Sequence, residues 1–365
     1  HKNQGLMLNQ RKELNFEGQN IYIGIDVHLK SWTVTILTET MPHKTFTQPP
    51  QAQILSAYLN EHFPNADYYS AYEAGFCGFS AHYHLQECGI NNIVINPSDV
   101  PTSQKEKWQK NDPVDSRKIA RALRSKELIA IHVPDKKSLS DRSLIRMRSS
   151  LVKDMTRFKL RLKSLLYFYG IRFPKEFENS NTHWSKRFIK WLREDIVLDT
   201  SARQALDLFI KEVENQRILL LEVNKKIRHL CKTKTYKNNI DLLQSIPGIG
   251  ITSAIVLMTH IETIDRFKNT DYLASYVGLI PNSHSSGESE NKGEMTFRGQ
   301  NHLKAILVES SWVAVRVDPA LSLSYNTYIH RMQPNKAIIR IARKLLNRIY
   351  YVLKNQREYV CGVVN

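Results

Sequence analysis

The chain is expected to fold as a mixed α/β layer domain, then a long helical region, then a second, mainly helical domain. Three observations lead there. Ile21, Ile23 and Ile25 alternate with Tyr22, Gly24 and Asp26, the period of a strand, and further strands and helices follow up to about residue 95. Leu151, Met155, Phe158, Leu162, Leu165 and Tyr169 step by four and three, as do Leu206, Phe209, Val213, Leu220, Val223, Ile227 and Leu230 with Gln216 as the polar exception, so two long helices are expected. From about Asn238 the pattern changes to short helices punctuated by glycine.

In order along the chain, strands are expected at 21–27, 31–37 and 43–47, a helix at 53–63, and a strand at 67–73. A helix at 79–87 ends at Gly89, and a short buried strand follows at 92–95. Asp112-Pro113-x-Asp115 is a good helix N-terminus, with Asp112 as N-cap, Pro113 at the first helical position and Asp115 favoured by the helix dipole. The two long helices are separated by a polar, Trp-containing stretch, 171–200. They either pack as an antiparallel arm, dimerise as a coiled coil, or serve as ordinary core helices of a bundle. Ser245-Ile-Pro-Gly-Ile-Gly250 opens a small, apolar helix. The boundaries are placed at 20–135, 140–235 and 236–357.

Charge narrows the partners. The formal net charge is +17, and it is unevenly spread. Residues 101–163 hold 18 Lys/Arg against 7 Asp/Glu, and Arg331 to Arg357 holds 8 basic residues and no acidic one. Clustered positive charge favours a polyanion through counterion release. No apolar run approaches the ~18 residues of a spanning helix, so no membrane partner is expected. The four cysteines, Cys77, Cys88, Cys231 and Cys361, form no CxxC pair. A zinc site or disulfide framework is therefore not expected, and with no leader-like stretch at the start a reducing cytoplasm is.

Several residues can carry chemistry. Asp26 and Glu73 each end a strand, so on neighbouring strands their carboxylates would face one point. Asp112 and Asp115, three apart on a helix, share a face. Phosphodiester chemistry needs such hard oxygen ligands, with two Mg²⁺ ions about 4 Å apart. Taken singly, each acid is equally well a cap or a solvated strand end. The basic residues flanking this pair, among them Lys105, Lys107, Lys110, Arg117, Lys118 and Arg121, read as a phosphate-tracking surface, or as the solvated face of ordinary helices. The glycines of the Pro247-Gly248-Ile249-Gly250 turn would let backbone N–H groups approach a phosphate, as in a helix-hairpin-helix element, or they simply join two packed helices. Ser283-His-Ser-Ser-Gly287 is read as a polar loop. Ser286 could act as a nucleophile there if Lys292, Arg298 and Lys304 stabilise charge, with Ser285 adjacent to it.

The strings Gly24-Ile-Asp26-Val-His28, Glu73 and Lys110-Asn-Asp112-Pro-Val-Asp115 resemble the DEDD-type transposases of the IS110 family. So do Ile246-Pro-Gly-Ile-Gly250, Tyr276-Val-Gly-Leu-Ile-Pro281, Ser286-Gly287 and Arg298-Gly-Gln-Asn301, in the expected order from about 20 to 325. Piv-type DNA invertases share the pattern. The chain departs from it at Asn111, where threonine is common, at Arg298-Gly299, which lacks the usual lysine, and at Leu303-Lys304 in place of Leu-Arg.

The resemblance implies a ribonuclease-H-like, RuvC-like first domain with Asp26, Glu73, Asp112 and Asp115 as a tetrad binding Mg²⁺, with Mn²⁺ as the alternative. It implies a coiled-coil assembly arm and a C-terminal transposase domain whose Ser286 forms a covalent phosphoserine link to DNA. Partners implied are DNA, a structured bridge RNA, and further copies of the chain, as dimers pairing into tetramers in the bacterial nucleoid. Two other functions compete. A metal-dependent junction nuclease would use water as nucleophile, and a non-catalytic nucleic-acid-binding protein would use the acids as caps.

Overall fold

The isoleucine alternation becomes β1 (Asn20–Val27), the centre of a five-stranded sheet. The structure is a computed structural model that describes residues 14–100, 112–286, 289–295 and 299–362, with the backbone alone at 282–286 and 289–295. It divides into two compact units, residues 1–133 and 134–365.

In the first unit, β1, β2 (Trp32–Leu37) and β3 (Pro42–Gln48) form an antiparallel meander. After α1 (Ala52–His62), β4 (Asp67–Glu73) lies parallel to β1. After α2 (Ser80–Glu87), β5 (Asn91–Ile95) lies parallel to β4. The order is β3-β2-β1-β4-β5, a mixed sheet consistent with the ribonuclease-H-like expectation.

The two faces differ. Ile21, Ile23, Ile25, Trp32, Val34 and Tyr72 pack on one side with Leu55 and Leu59 of α1 and Leu85 of α2. Fully burying such a side chain contributes roughly 1.5–3 kcal/mol. The other face is covered by α3 (Asp112–Arg124), whose Ile119 packs with Ala71, Ile95 and Val100. α3 lies so close to β1 that a methyl group on Gly24 would overlap the Ser116 carbonyl oxygen and the Ala120 amide nitrogen. A buried hydroxyl pair, Ser116 Oγ to Thr35 Oγ1 at 2.8 Å, ties the same helix to β2.

Among its described residues the second unit is helical but for one pair of antiparallel strands. α4 (Lys136–Phe168) and α6 (Thr200–Cys231) pack side by side over much of their length. Ile145 and Leu151 share a cluster with Val223 and Ile227, whereas Leu162 and Leu166 share another with Leu206 and Ile210, so the two helices run antiparallel. α5 (Lys186–Glu194) caps one end with Phe188, Trp191 and Leu192 against Phe177. The seam thus packs within the chain, and α4 starts well before the apolar repeat that revealed it.

α7 (Lys237–Gln244), α8 (Ile251–Ile261), α9 (Thr270–Val277), α10 (Asn301–Val317), α11 (Pro319–Ile329) and α12 (Pro334–Asn355) enclose a second core. α8 is buried all round from Ala254 to Ile261. Between α9 and α10, β6 (Pro281–Ser286) pairs antiparallel with β7 (Ser289–Met295). The polar loop expected at Ser283–Gly287 is therefore strand as far as Ser286. Its residues carry no apolar alternation that would have marked a strand. Among the described residues no helix is long and apolar enough to cross a membrane.

Candidate functional site

Asp26 lies two residues beyond Gly24 on β1, so the strand period puts its side chain on the face that α3 covers. Glu73 lies two beyond Ala71 on β4, and Ala71 packs on α3, so Glu73 belongs to the same face. The two acids are each the next residue after the registered pair Ile25–Tyr72 of adjacent parallel strands. Asp112 and Asp115 sit in the first turn of α3, facing that edge. Asp112 is itself helical rather than the residue that caps the helix. The backbone thus carries all four positions towards the ends of β1 and β4, where the side chains brought within ligand distance of one another are those of Asp26 and Asp112, with His28.

The electrostatics agree. The Asp26 carboxyl is pushed above the usual aspartate range, by burial first, and by the charges of Asp112 and Asp115, against a lowering pull from His28. Its side chain is 23% exposed. Crowding carboxylates in a half-buried place is costly unless a cation joins them, so the donor set suits a divalent ion. One ligand atom from each of Asp26, His28 and Asp112 lies within 4.8 Å of the other two. His28, whose Nε2 stands 3.3 Å from Asp26 Oδ2, is not among the site residues expected from the sequence; its spacing of two from a strand-end aspartate is the signal that points to it.

The cations of α3 divide. Lys118 Nζ bridges to Asp115 Oδ1 at 3.1 Å, whereas Arg117 and Arg121 are exposed, Arg117 donating to the Pro113 carbonyl at 2.8 Å. Lys105, Lys107 and Lys110 lie outside the described residues.

In the second unit, glycines bring the motif segments together. Gly248, at φ +88, packs where a side chain would overlap the Ser310 carbonyl oxygen of α10, so this glycine fixes a helix contact. Gly250 is exposed just before α8. Gly299, at φ +102, would carry a Cβ 2.6 Å from Gly278 Cα, and Gln300 N donates to the Val277 carbonyl at 3.1 Å. The strand pair 281–295 is thereby clamped at its base, between the end of α9 and the start of α10.

The carbonyl end of α8 is capped by guanidinium groups. Arg142 donates to the Thr259 carbonyl at 2.7 Å, Arg266 to those of His260 and Ile261 at 2.9 and 2.8 Å, and the Tyr276 hydroxyl to that of His260 at 3.2 Å. Burial pushes His260 down to about 4, so its ring is neutral near pH 7. The Arg142 cap was not legible in the sequence, because its partner lies 117 residues away.

Ser286 is the last residue of β6, in register with Ser289; Ser285 pairs with Glu290 and Ser283 with Lys292. Gly287 and Arg298 lie outside the described residues. Lys304, in the first turn of α10, is only 8% exposed, enclosed rather than displayed.

Residues 23–171 match the family model for the DEDD transposase domain of IS110 elements. Residues 240–326 match a second model, described as the transposase IS116/IS110/IS902 family. The chain belongs to the IS110 family of transposases. It is similar to a putative transposase, y4qE, of Sinorhizobium fredii, at 25% identity over 67% of this chain and 58% of that protein. It is similar to the transposase of insertion sequence element IS1111A of Coxiella burnetii, at 25% identity over 78% of each chain. It also resembles a pilin gene-inverting protein of Moraxella bovis, at 27% identity over 46% of this chain and 55% of the relative.

Proposed function

We propose that this protein is a DNA recombinase that cleaves and rejoins strands through Asp26, Glu73, Asp112, Asp115 and Ser286. The observation that supports this most is that the backbone carries four acidic positions towards the ends of β1 and β4, in a chain that matches the family in both halves. The first unit is read as RuvC-like. A divalent pair, Mg²⁺ or Mn²⁺, would be held by the four acids and would supply stabilisation of charge on the phosphate.

The protein groups do the rest. The Ser286 oxygen forms a bond to phosphorus as the bond from phosphorus to a deoxyribose oxygen breaks; the serine proton leaves and the departing oxygen gains one. Rejoining reverses these changes with a different strand end, so no hydrolysis is needed. Ser286 rather than Ser285 is favoured because it ends β6, next to Gly287. Arg117, Arg121, Lys292 and Arg298, with Lys105, Lys107 and Lys110, are read as tracking phosphates, and Gly250 as a backbone contact in a hairpin-like element. The α4–α6 pair, which makes up most of residues 140–235, is read as the assembly arm of a dimer that pairs into a tetramer, beside a C-terminal domain at 236–357. A structured RNA is read as the guide, so that base pairing chooses the target.

A suicide substrate carrying the element junction, with Mg²⁺ and co-purifying RNA, tests this on denaturing gels. The expected result is a protein–DNA adduct that is lost in Ser286→Ala and Asp26→Ala and retained in Ser285→Ala. Cleavage without an adduct that survives Ser286→Ala would replace the serine with water and make the protein a nuclease.

A further inference from the structure

His28 is the first residue past β1 and the second past Asp26, so a period of two carries its side chain to the same face. A turn fixes it there: its amide donates to the Ser31 carbonyl at 3.1 Å, where β1 turns back into β2. From that position its Nε2 stands 3.3 Å from Asp26 Oδ2, and the ring of Phe76 flanks it at 6.4 Å between centroids. Neighbouring ligands on an octahedral ion with bonds of about 2.1 Å stand roughly 3 Å apart, and opposite ones about 4.2 Å. The imidazole nitrogen, the Asp26 carboxylate and the Asp112 carboxylate, all within 4.8 Å of one another, are close to that spacing.

We propose that His28 supplies a nitrogen ligand to the divalent ion held by Asp26 and Asp112, which makes this a mixed nitrogen–oxygen centre. The proposal rests on the metal-binding role given to the acids above. An all-oxygen set suits Mg²⁺ and Ca²⁺, whereas imidazole shifts preference towards transition ions. His28 therefore raises the affinity for Mn²⁺ relative to Mg²⁺. A histidine that merely paired with Asp26 from outside the coordination sphere would put no nitrogen on the ion.

The test is pulsed electron paramagnetic resonance of the full-length chain loaded with Mn²⁺ alone, with and without ¹⁵N-histidine. The expected spectrum shows nitrogen coupling that changes with the label and disappears in His28→Ala. Mn²⁺ affinity in that variant falls roughly tenfold, about 1.4 kcal/mol, and Mn²⁺ loses part of its advantage over Mg²⁺ in competition. His28 is 45% exposed at its side chain, so the variant should keep its fold, which circular dichroism checks. Asp26→Asn separates the two layers of the argument. If Mn²⁺ binding ignores that substitution, the carboxylate site fails and His28 fails with it. If binding depends on Asp26 yet shows no histidine coupling, or coupling that survives His28→Ala, the metal site stands and the His28 ligand is overturned.

Discussion

Asp26 concentrates the electrostatic cost of the site, and that cost has a pH signature. Its carboxyl is raised above the ordinary aspartate value by burial, then by Asp112 and Asp115, with His28 pulling the other way. A group raised in the folded state favours folding fully below the unfolded value, about 3.9, and loses that favour as pH rises through its folded value. At neutral pH without metal the ionised carboxylate therefore weakens the fold. Asp26→Asn in chelator is expected to raise the melting temperature at pH 7, with the gain shrinking as pH falls towards 4, while strand cleavage is abolished. A neutral or lower melting temperature at pH 7 would mean that the carboxylates do not crowd as described. At this scale the sequence showed the acids plainly, because strand ends and helix starts are local features. It did not show that His28 joins them, since its approach to Asp112 is a contact between residues far apart in the chain.

Among the elements, α3 decides whether the site exists, because it brings Asp112 and Asp115 to the edge formed by β1 and β4. Its seat depends on Gly24, where any side chain meets helix backbone that cannot swing aside. Gly24→Ala is expected to cost about 1–3 kcal/mol through overpacking and to shift α3 enough to lower cleavage by ~10²-fold, as a displacement of about 1 Å can. Gly89→Ala is the control: φ +78 makes it strained too, but it stands in open space away from α3, so it should lose stability without a matching loss of cleavage. Equal losses of activity in the two variants would detach α3 placement from catalysis. The strands and short helices of this unit were legible to within a residue or two, from alternation and glycine stops. The seat of α3 was not, since Gly24 and Ala120 are far apart in sequence. In the second unit the antiparallel α4–α6 pair was one of three open readings. The β6–β7 pairing escaped the hydrophobic pattern altogether, because Ser283 to Ser286 carry no apolar alternation.

For the whole molecule, the two units have separate cores: the sheet with α1 and α2 on one side and α3 on the other, and the helical clusters of α4 to α12. Units with separate cores can melt separately, so a single two-state transition is not expected. All the acids and His28 belong to the first unit. An ion that binds the folded form stabilises it by about 2.7 kcal/mol at a hundred times its dissociation constant. For a unit of this size that is a rise of roughly 8 °C at about 3 °C per kcal/mol. Calorimetry of the full chain is therefore expected to show two transitions in chelator, of which Mn²⁺ raises only the one belonging to the first unit. Hydrogen exchange assigns it: slowed amides should lie in β1, β4 and the start of α3, and α8 and α10 should not change. The shift should vanish in Asp26→Asn and weaken as pH falls, because protons compete for the same carboxylates. A metal-dependent shift confined to the helical unit would move the ion away from the sheet edge, and a shift untouched by Asp26→Asn would remove Asp26 from its ligands.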